Sequence, residues 1–130
     1  MKHVKAFLFL AVLFAANTLT AQSVTEKWPV MKEFHDVMSQ TFHPAEEGNL
    51  APIKARSEEM MTKAAAILKS DIPKEFRTEP ILAAAEQLQI KSKNLHNMVI
   101  TNAPDAAIVK LMADLHNSFH RIVGLCSEKK

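Results

Sequence analysis

The chain has 130 residues, with 16 Lys and Arg against 14 Asp and Glu, so its formal net charge is +2. This length predicts one domain, and the nearly balanced charge, with no basic stripe and no aromatic platform, excludes a typical nucleic-acid-binding protein. The sequence has two glycines, no tyrosine and one cysteine, which favours helix over sheet and excludes a disulfide within the chain.

The first 21 residues have the pattern of a secretory signal peptide. A short basic stretch, MKHVK, precedes the apolar run AFLFLAVLFAA, and Ala21 places a small residue at the expected cleavage point. The apolar run is too short to span a bilayer, and no second run of membrane length follows. We therefore expect cleavage after residues 1–21, a domain over residues 22–130, and a periplasmic or secreted protein without a membrane anchor.

Four segments follow in which apolar residues recur every three or four positions, as on one face of an α-helix. Each has a proline in or near its first turn, where the missing N–H would have no helical partner anyway. The segments run from about Trp28 to His43, Leu50 to Ser70, Glu79 to Ile100 and Pro104 to Cys126. The connections are short, so sequential helices are expected to lie antiparallel. The predicted fold is all-α: an up-down-up-down antiparallel four-helix bundle.

The same spacing predicts which positions of each helix face the core. They are Trp28, Met31, His35, Met38 and Phe42; Leu50, Ile53, Ser57, Met60, Ala64 and Ile67; Ile81, Ala85, Leu88, Ser92, Leu95 and Val99; and Ile108, Met112, Leu115, Phe119, Ile122 and Cys126. The lone thiol is expected to be buried and inert, with a role as a soft metal ligand left open.

Three histidines are predicted to meet between the first and last helices. His116 and His120 are four residues apart, a spacing at which two imidazoles leave the same side of a helix and can hold one metal ion. At about 1.5 Å of rise per residue, His35 reaches the same height if these two helices are neighbours. The three imidazoles predict a site for zinc or copper, or else nickel or cobalt. Water, Met38 or Met61 would occupy a remaining position. Methionine at such spacing more often fills a core.

A second cluster is predicted at the other end of the bundle. His43, Glu46 and Glu47 follow the first helix, and His96 is expected at a similar height. Mixed nitrogen and oxygen donors can bind a cation there. The alternative is a plain helix end, at which the glutamates favour the start of the next helix electrostatically.

Helix number, helix lengths and the export signal resemble the exported four-helix bundles of the cytochrome c′ type and the related soluble b-type cytochromes. The resemblance implies haem between the first and last helices, with His116 or His120 as the axial histidine and Met31 or Met38 as the methionine of b-type members. The chain has no CxxCH motif, so covalent haem is excluded and only non-covalent haem b is implied. The pair of His116 and His120 also resembles the HxxxH pairs of periplasmic metal-binding helical proteins.

Three functions stay open from the sequence. The first is an exported protein that binds, buffers or senses a transition metal. The second is a b-type haem protein, and the third is a ligand-free structural bundle that binds a protein partner or a second copy of itself. No nucleophile–base pair, phosphate-binding loop or inward pair of carboxylates is recognisable, so we do not predict an enzyme.

Overall fold

The computed structural model describes residues 23–127, and all regular secondary structure within that range is helical. A short helical stretch over residues 23–27 leads into the first long helix. The elements are α1 (Pro29–Glu46), α2 (Ala51–Lys69), a 3-10 helix (Lys74–Phe76), α3 (Glu79–Ile100) and α4 (Asp105–Ser127). The expected signal peptide, residues 1–21, lies outside the described residues. No helix within residues 23–127 is both long and apolar enough to cross a membrane.

The four long helices pack around one core. Each helix contacts the next in the sequence, and α1 also contacts α4. The α1–α4 interface is the least extensive of the four. The predicted all-α fold with four packed helices is confirmed. The predicted inward positions are buried except His35, Val99 and Cys126, which are partly exposed.

The end of α1 differs from the prediction. The helix continues past His43 to Glu46, so Pro44 lies in its last turn. A proline so close to the end removes one backbone hydrogen bond, and its own carbonyl still accepts from the N–H of Asn49 at 2.9 Å. The chain then turns at Gly48, whose φ of +93° is available to a residue without a Cβ.

The linker between α2 and α3, residues 70–78, is a packed part of the structure. Phe76 of the 3-10 helix is buried and stacks on Trp28 with ring centroids 5.9 Å apart. The indole N–H of Trp28 donates to Oγ of Ser70 at 2.9 Å. These contacts fix the start of α1 to the end of α2 and to the linker.

Candidate metal centre

The structure brings His35 of α1 and His116 and His120 of α4 together at the α1–α4 interface; we call these three residues the histidine cluster. The ring centroids of His116 and His120 are 4.5 Å apart, and the rings are perpendicular at 88°. Their Nε2 atoms lie 3.1 Å apart. The centroid of His35 lies 6.5 Å from that of His120.

The cluster follows from the positions of two phenylalanines. Phe34 of α1 and Phe119 of α4 are buried and stack across the interface with centroids 6.1 Å apart. His35 and His120 each directly follow one of these residues, so about 100° of helix rotation places them beside the contact. The sequence pattern placed His35 on the inward stripe. It lies at the edge instead, half-buried, because Phe34 and Val37 face the core.

Aromatic rings line the cluster in an unbroken series along the interface. The ring of His35 lies 4.8 Å from that of Phe119, which lies 5.7 Å from that of His120. On the other side of the cluster, the ring centroid of Phe42 lies 5.1 Å from that of His116 and 6.3 Å from that of His43. The phenylalanines are buried whereas His120 is exposed. The cluster therefore has an apolar inner wall and an outer side that faces solvent, an environment that controls water access and the local dielectric at a metal site.

The Nε2 atoms of His116 and His120 are positioned as two neighbouring ligands of one ion. Without an ion, one imidazole donates its Nε2–H to the other. Zinc–nitrogen bonds of about 2.0–2.1 Å hold two adjacent nitrogens roughly 3 Å apart. The observed separation is 3.1 Å. A metal ion can thus replace the shared proton with little movement of these two rings.

His35 stands slightly too far away to be a third ligand in this conformation. Three imidazoles around one tetrahedral ion have ring centroids about 5 Å apart, against the 6.5 Å between His35 and His120. Within residues 23–127, no group of three or more His, Cys, Asp or Glu side chains is arranged to hold a metal ion as it stands. A three-histidine site requires the His35 ring to reorient about its side-chain torsions.

The electrostatics favour the neutral imidazoles that metals bind. Burial lowers the pKa of His35, and repulsion from His120 lowers it further. Burial likewise lowers the pKa of His116, followed by repulsion from His120 and then from His35. Asp36 acts in the opposite direction on His35, and Glu46 on His116, with smaller effects. A ligand imidazole must be neutral, so a lowered pKa reduces competition from protons.

The candidate sulfur donors lie in the core, in a groove between α2 and α3, and near the end of α4. Met38 is fully buried in the core, as expected of a packing residue. Met61 lines a groove between α2 and α3 together with Gln89 and Lys93. Cys126 is half-buried, and burial raises the pKa of its thiol to about 11.

The second predicted cluster is divided between two separate contacts. Nδ1 of His43 lies 3.4 Å from Oε1 of Glu46 at the end of α1, where both side chains are largely exposed. Nδ1 of His96 lies 2.9 Å from Oγ of Ser57 on α2. Glu47 follows α1 and is exposed. Ser57 is a partner that the sequence reasoning missed, although its inward position between apolar residues was a signal for one.

Known proteins offer no guide to this site. No protein-family model, curated protein or solved structure matches the chain. The case for a function therefore depends on the geometry and chemistry of the histidine cluster.

Proposed function

We propose that this protein is exported and binds a transition metal ion at the histidine cluster. The observation that carries the proposal is the 3.1 Å separation of the Nε2 atoms of His116 and His120. These two side chains supply adjacent ligands, His35 supplies the third after its ring reorients, and water completes the coordination sphere. Zinc or copper is the expected ion, with nickel or cobalt as alternatives.

The proposal includes the up-down-up-down arrangement of the helices, since this places α1 beside α4 with opposite directions. Side-chain contacts between α1 and α2 support it: Glu33 pairs with Lys63 at 3.1 Å, and Gln40 accepts from Arg56 at 2.7 Å. Residue numbers rise on one helix as they fall on the other, as antiparallel neighbours require. Export to the periplasm or the exterior is proposed from the signal-peptide pattern of residues 1–21, and fits a role in binding, buffering or sensing metal.

Isothermal titration of the purified protein with Zn²⁺ and with Cu²⁺ tests the metal site. We expect about one equivalent to bind, and His116→Ala or His120→Ala to weaken binding by about tenfold or more, since even outer-shell partners cost about that much. His96→Ala is the matched control, because His96 contacts Ser57 on α2 and lies outside the cluster.

Two results would contradict the metal site. One is the absence of uptake of any of the four metals. The other is a loss of affinity in His96→Ala as large as that in His120→Ala, with helix content measured by circular dichroism to show that each variant is folded.

Non-covalent haem b is the second candidate, because Phe42, Phe119 and His116 line the α1–α4 interface at which the cytochrome resemblance implies haem. Addition of haemin to the purified protein discriminates between the candidates. A shifted Soret band that is lost in His116→Ala supports haem, whereas an unchanged spectrum with uptake of Zn²⁺ supports the metal site. If neither ligand binds, a bundle that binds a protein partner or a second copy is favoured.

A further inference from the structure

We infer that the histidine cluster takes a divalent ion, such as Cu²⁺ or Zn²⁺, and discriminates against cuprous copper. The inference rests on the proposed metal site and adds the charge and coordination preference of its ligand. It concerns copper above all, because copper is the one candidate metal that exchanges readily between two oxidation states in proteins.

The imidazoles of His116 and His120 impose a nitrogen–metal–nitrogen angle on an ion that they share. With metal–nitrogen bonds of about 2.0 Å, a nitrogen separation near 3 Å corresponds to an angle of roughly 100° at the metal. Divalent zinc and copper accept angles between those of tetrahedral and square-planar geometry. A cuprous ion favours wider angles: it is trigonal with three imidazoles, whose nitrogens then stand about 3.5 Å apart, and linear with two, whose nitrogens then stand about 4 Å apart.

Either wider arrangement would require His116 and His120 to move apart. His116 and His120 leave the same helix one turn apart. The ring of His116 packs against Phe42 at 5.1 Å, and that of His120 packs against Phe119 at 5.7 Å. Spreading the two Nε2 atoms beyond 3.1 Å requires one or both of these packed rings to turn, whereas a divalent ion fits between the nitrogens with little movement of the rings.

Cuprous copper is selected by thioether and thiolate sulfur. Met31 and Met38 on α1 and Met112 on α4 each lie three or four residues from a histidine of the cluster, and all three are fully buried in the core. Cys126 is half-buried and remains a thiol at neutral pH because burial raises its pKa to about 11. Its position six residues after His120 adds about 9 Å of helix rise.

Two carboxylates lie near the histidine cluster in the sequence of α1. Asp36 directly follows His35, and Glu46 comes one helical turn after Phe42, whose ring lies 5.1 Å from that of His116. Carboxylate oxygen is a hard donor that suits divalent ions and offers little to cuprous copper. Carboxylates thus lie in the turns next to the cluster, whereas these methionines are buried in the core and Cys126 lies farther along α4.

Competition titrations with the two copper ions test the inference on the purified protein. Cu²⁺ would be titrated in air against a glycine competitor, and Cu⁺ under anaerobic conditions against bicinchoninate. We expect the dissociation constant for Cu²⁺ to be lower than that for Cu⁺ by about tenfold or more, an energy difference of about 1.4 kcal/mol. Electron paramagnetic resonance of the Cu²⁺ form should show hyperfine coupling to imidazole nitrogens, reduced in His120→Ala.

Met38→Leu is the matched variant, because leucine conserves the volume of the side chain in the core. We expect this substitution to change the affinity for Cu²⁺ and the affinity for Cu⁺ each by less than about twofold. A lower dissociation constant for Cu⁺ than for Cu²⁺, or a loss of Cu⁺ binding in Met38→Leu, would overturn the divalent preference and leave the metal site itself in place. Absence of any Zn²⁺ or copper uptake would instead overturn the proposed function, and this inference with it.

Discussion

Oγ of Ser57 on α2 lies 2.9 Å from Nδ1 of His96 on α3, and this hydrogen bond joins the two helices beside the core. Ser57 is only 2% exposed. Replacing it with alanine leaves the half-buried imidazole without its partner. We expect Ser57→Ala to lower the free energy of unfolding by about 1 kcal/mol, measured by urea denaturation. An unchanged or increased free energy would show that the bond contributes nothing.

Replacing a serine by alanine at Ser92, on α3, should have the opposite effect on the free energy of unfolding. Oγ of Ser92 is fully buried and has no hydrogen-bond partner among residues 23–127. Alanine removes this unpaired hydroxyl and is the better helix former. We expect Ser92→Ala to raise the free energy of unfolding by about 1 kcal/mol. If Ser92→Ala and Ser57→Ala destabilise equally, the difference in hydrogen bonding between the two hydroxyls is not what determines stability.

Mild acid should destabilise the metal-free protein. The pKa values of His35 and His116 lie below the ordinary histidine value of 6.5 because burial, and then repulsion from His120, disfavours the charged imidazole. The unfolded chain therefore binds more protons as the pH falls below about 6.5, so unfolding becomes more favourable. The stability contributed by the two neutral imidazoles is complete above about pH 6.5 and is lost as the pH falls through their lowered pKa values.

The measurement is the urea midpoint between about pH 7.5 and pH 5 in the presence of a chelator, before the carboxylates titrate. The double variant His35→Gln, His116→Gln is the control and should show a flatter profile. A wild-type midpoint that rises on acidification would contradict the expected sign.

Trp28 offers a stability test with a built-in signal, because it is the only tryptophan in the chain. It is fully buried, stacks on Phe76 and donates to Ser70. We expect its fluorescence to shift to longer wavelength on unfolding. Trp28→Phe should lower the free energy of unfolding by about 2 kcal/mol through the lost hydrogen bond and the smaller ring. A loss below about 0.5 kcal/mol would mean that the linker contributes little to holding α1.

Cys126 should react slowly with thiol reagents in the folded protein. Its pKa is raised to about 11 by burial, and the thiolate is the reactive form. At about pH 8, where an ordinary cysteine is partly ionised, we expect Ellman's reagent to label Cys126 at least tenfold more slowly in buffer than in denaturant. Equal rates would contradict burial of the thiol.

Helix periodicity predicts the buried positions well where a helix has a single, largely apolar stripe. All six predicted inward residues of the second segment, Leu50 just before α2 and five within it, are buried. On α1 the pattern allows two overlapping stripes, and the larger Phe34 takes the inward direction from His35. The residue that gains a core position is the one that removes more apolar surface from water.

Partners across helices are harder to predict than buried positions. Helix rise alone indicates that His35 reaches the level of His120, and their rings lie 6.5 Å apart. The pairing of His96 with Ser57 depends on the rotation of α2 against α3, which sequence spacing leaves open. Packing of Phe76 under Trp28 lies in an irregular segment, where no periodicity exists to read.

The limited contact between α1 and α4 has a kinetic consequence. Contacts between successive helices close short loops, whereas the α1–α4 contact joins the two ends of the domain, so we expect it to form late in folding. Interactions that form after the folding transition state slow unfolding and leave the folding rate nearly unchanged. A metal ion shared by His35 and His120 would therefore extend the lifetime of the folded protein without hastening its formation.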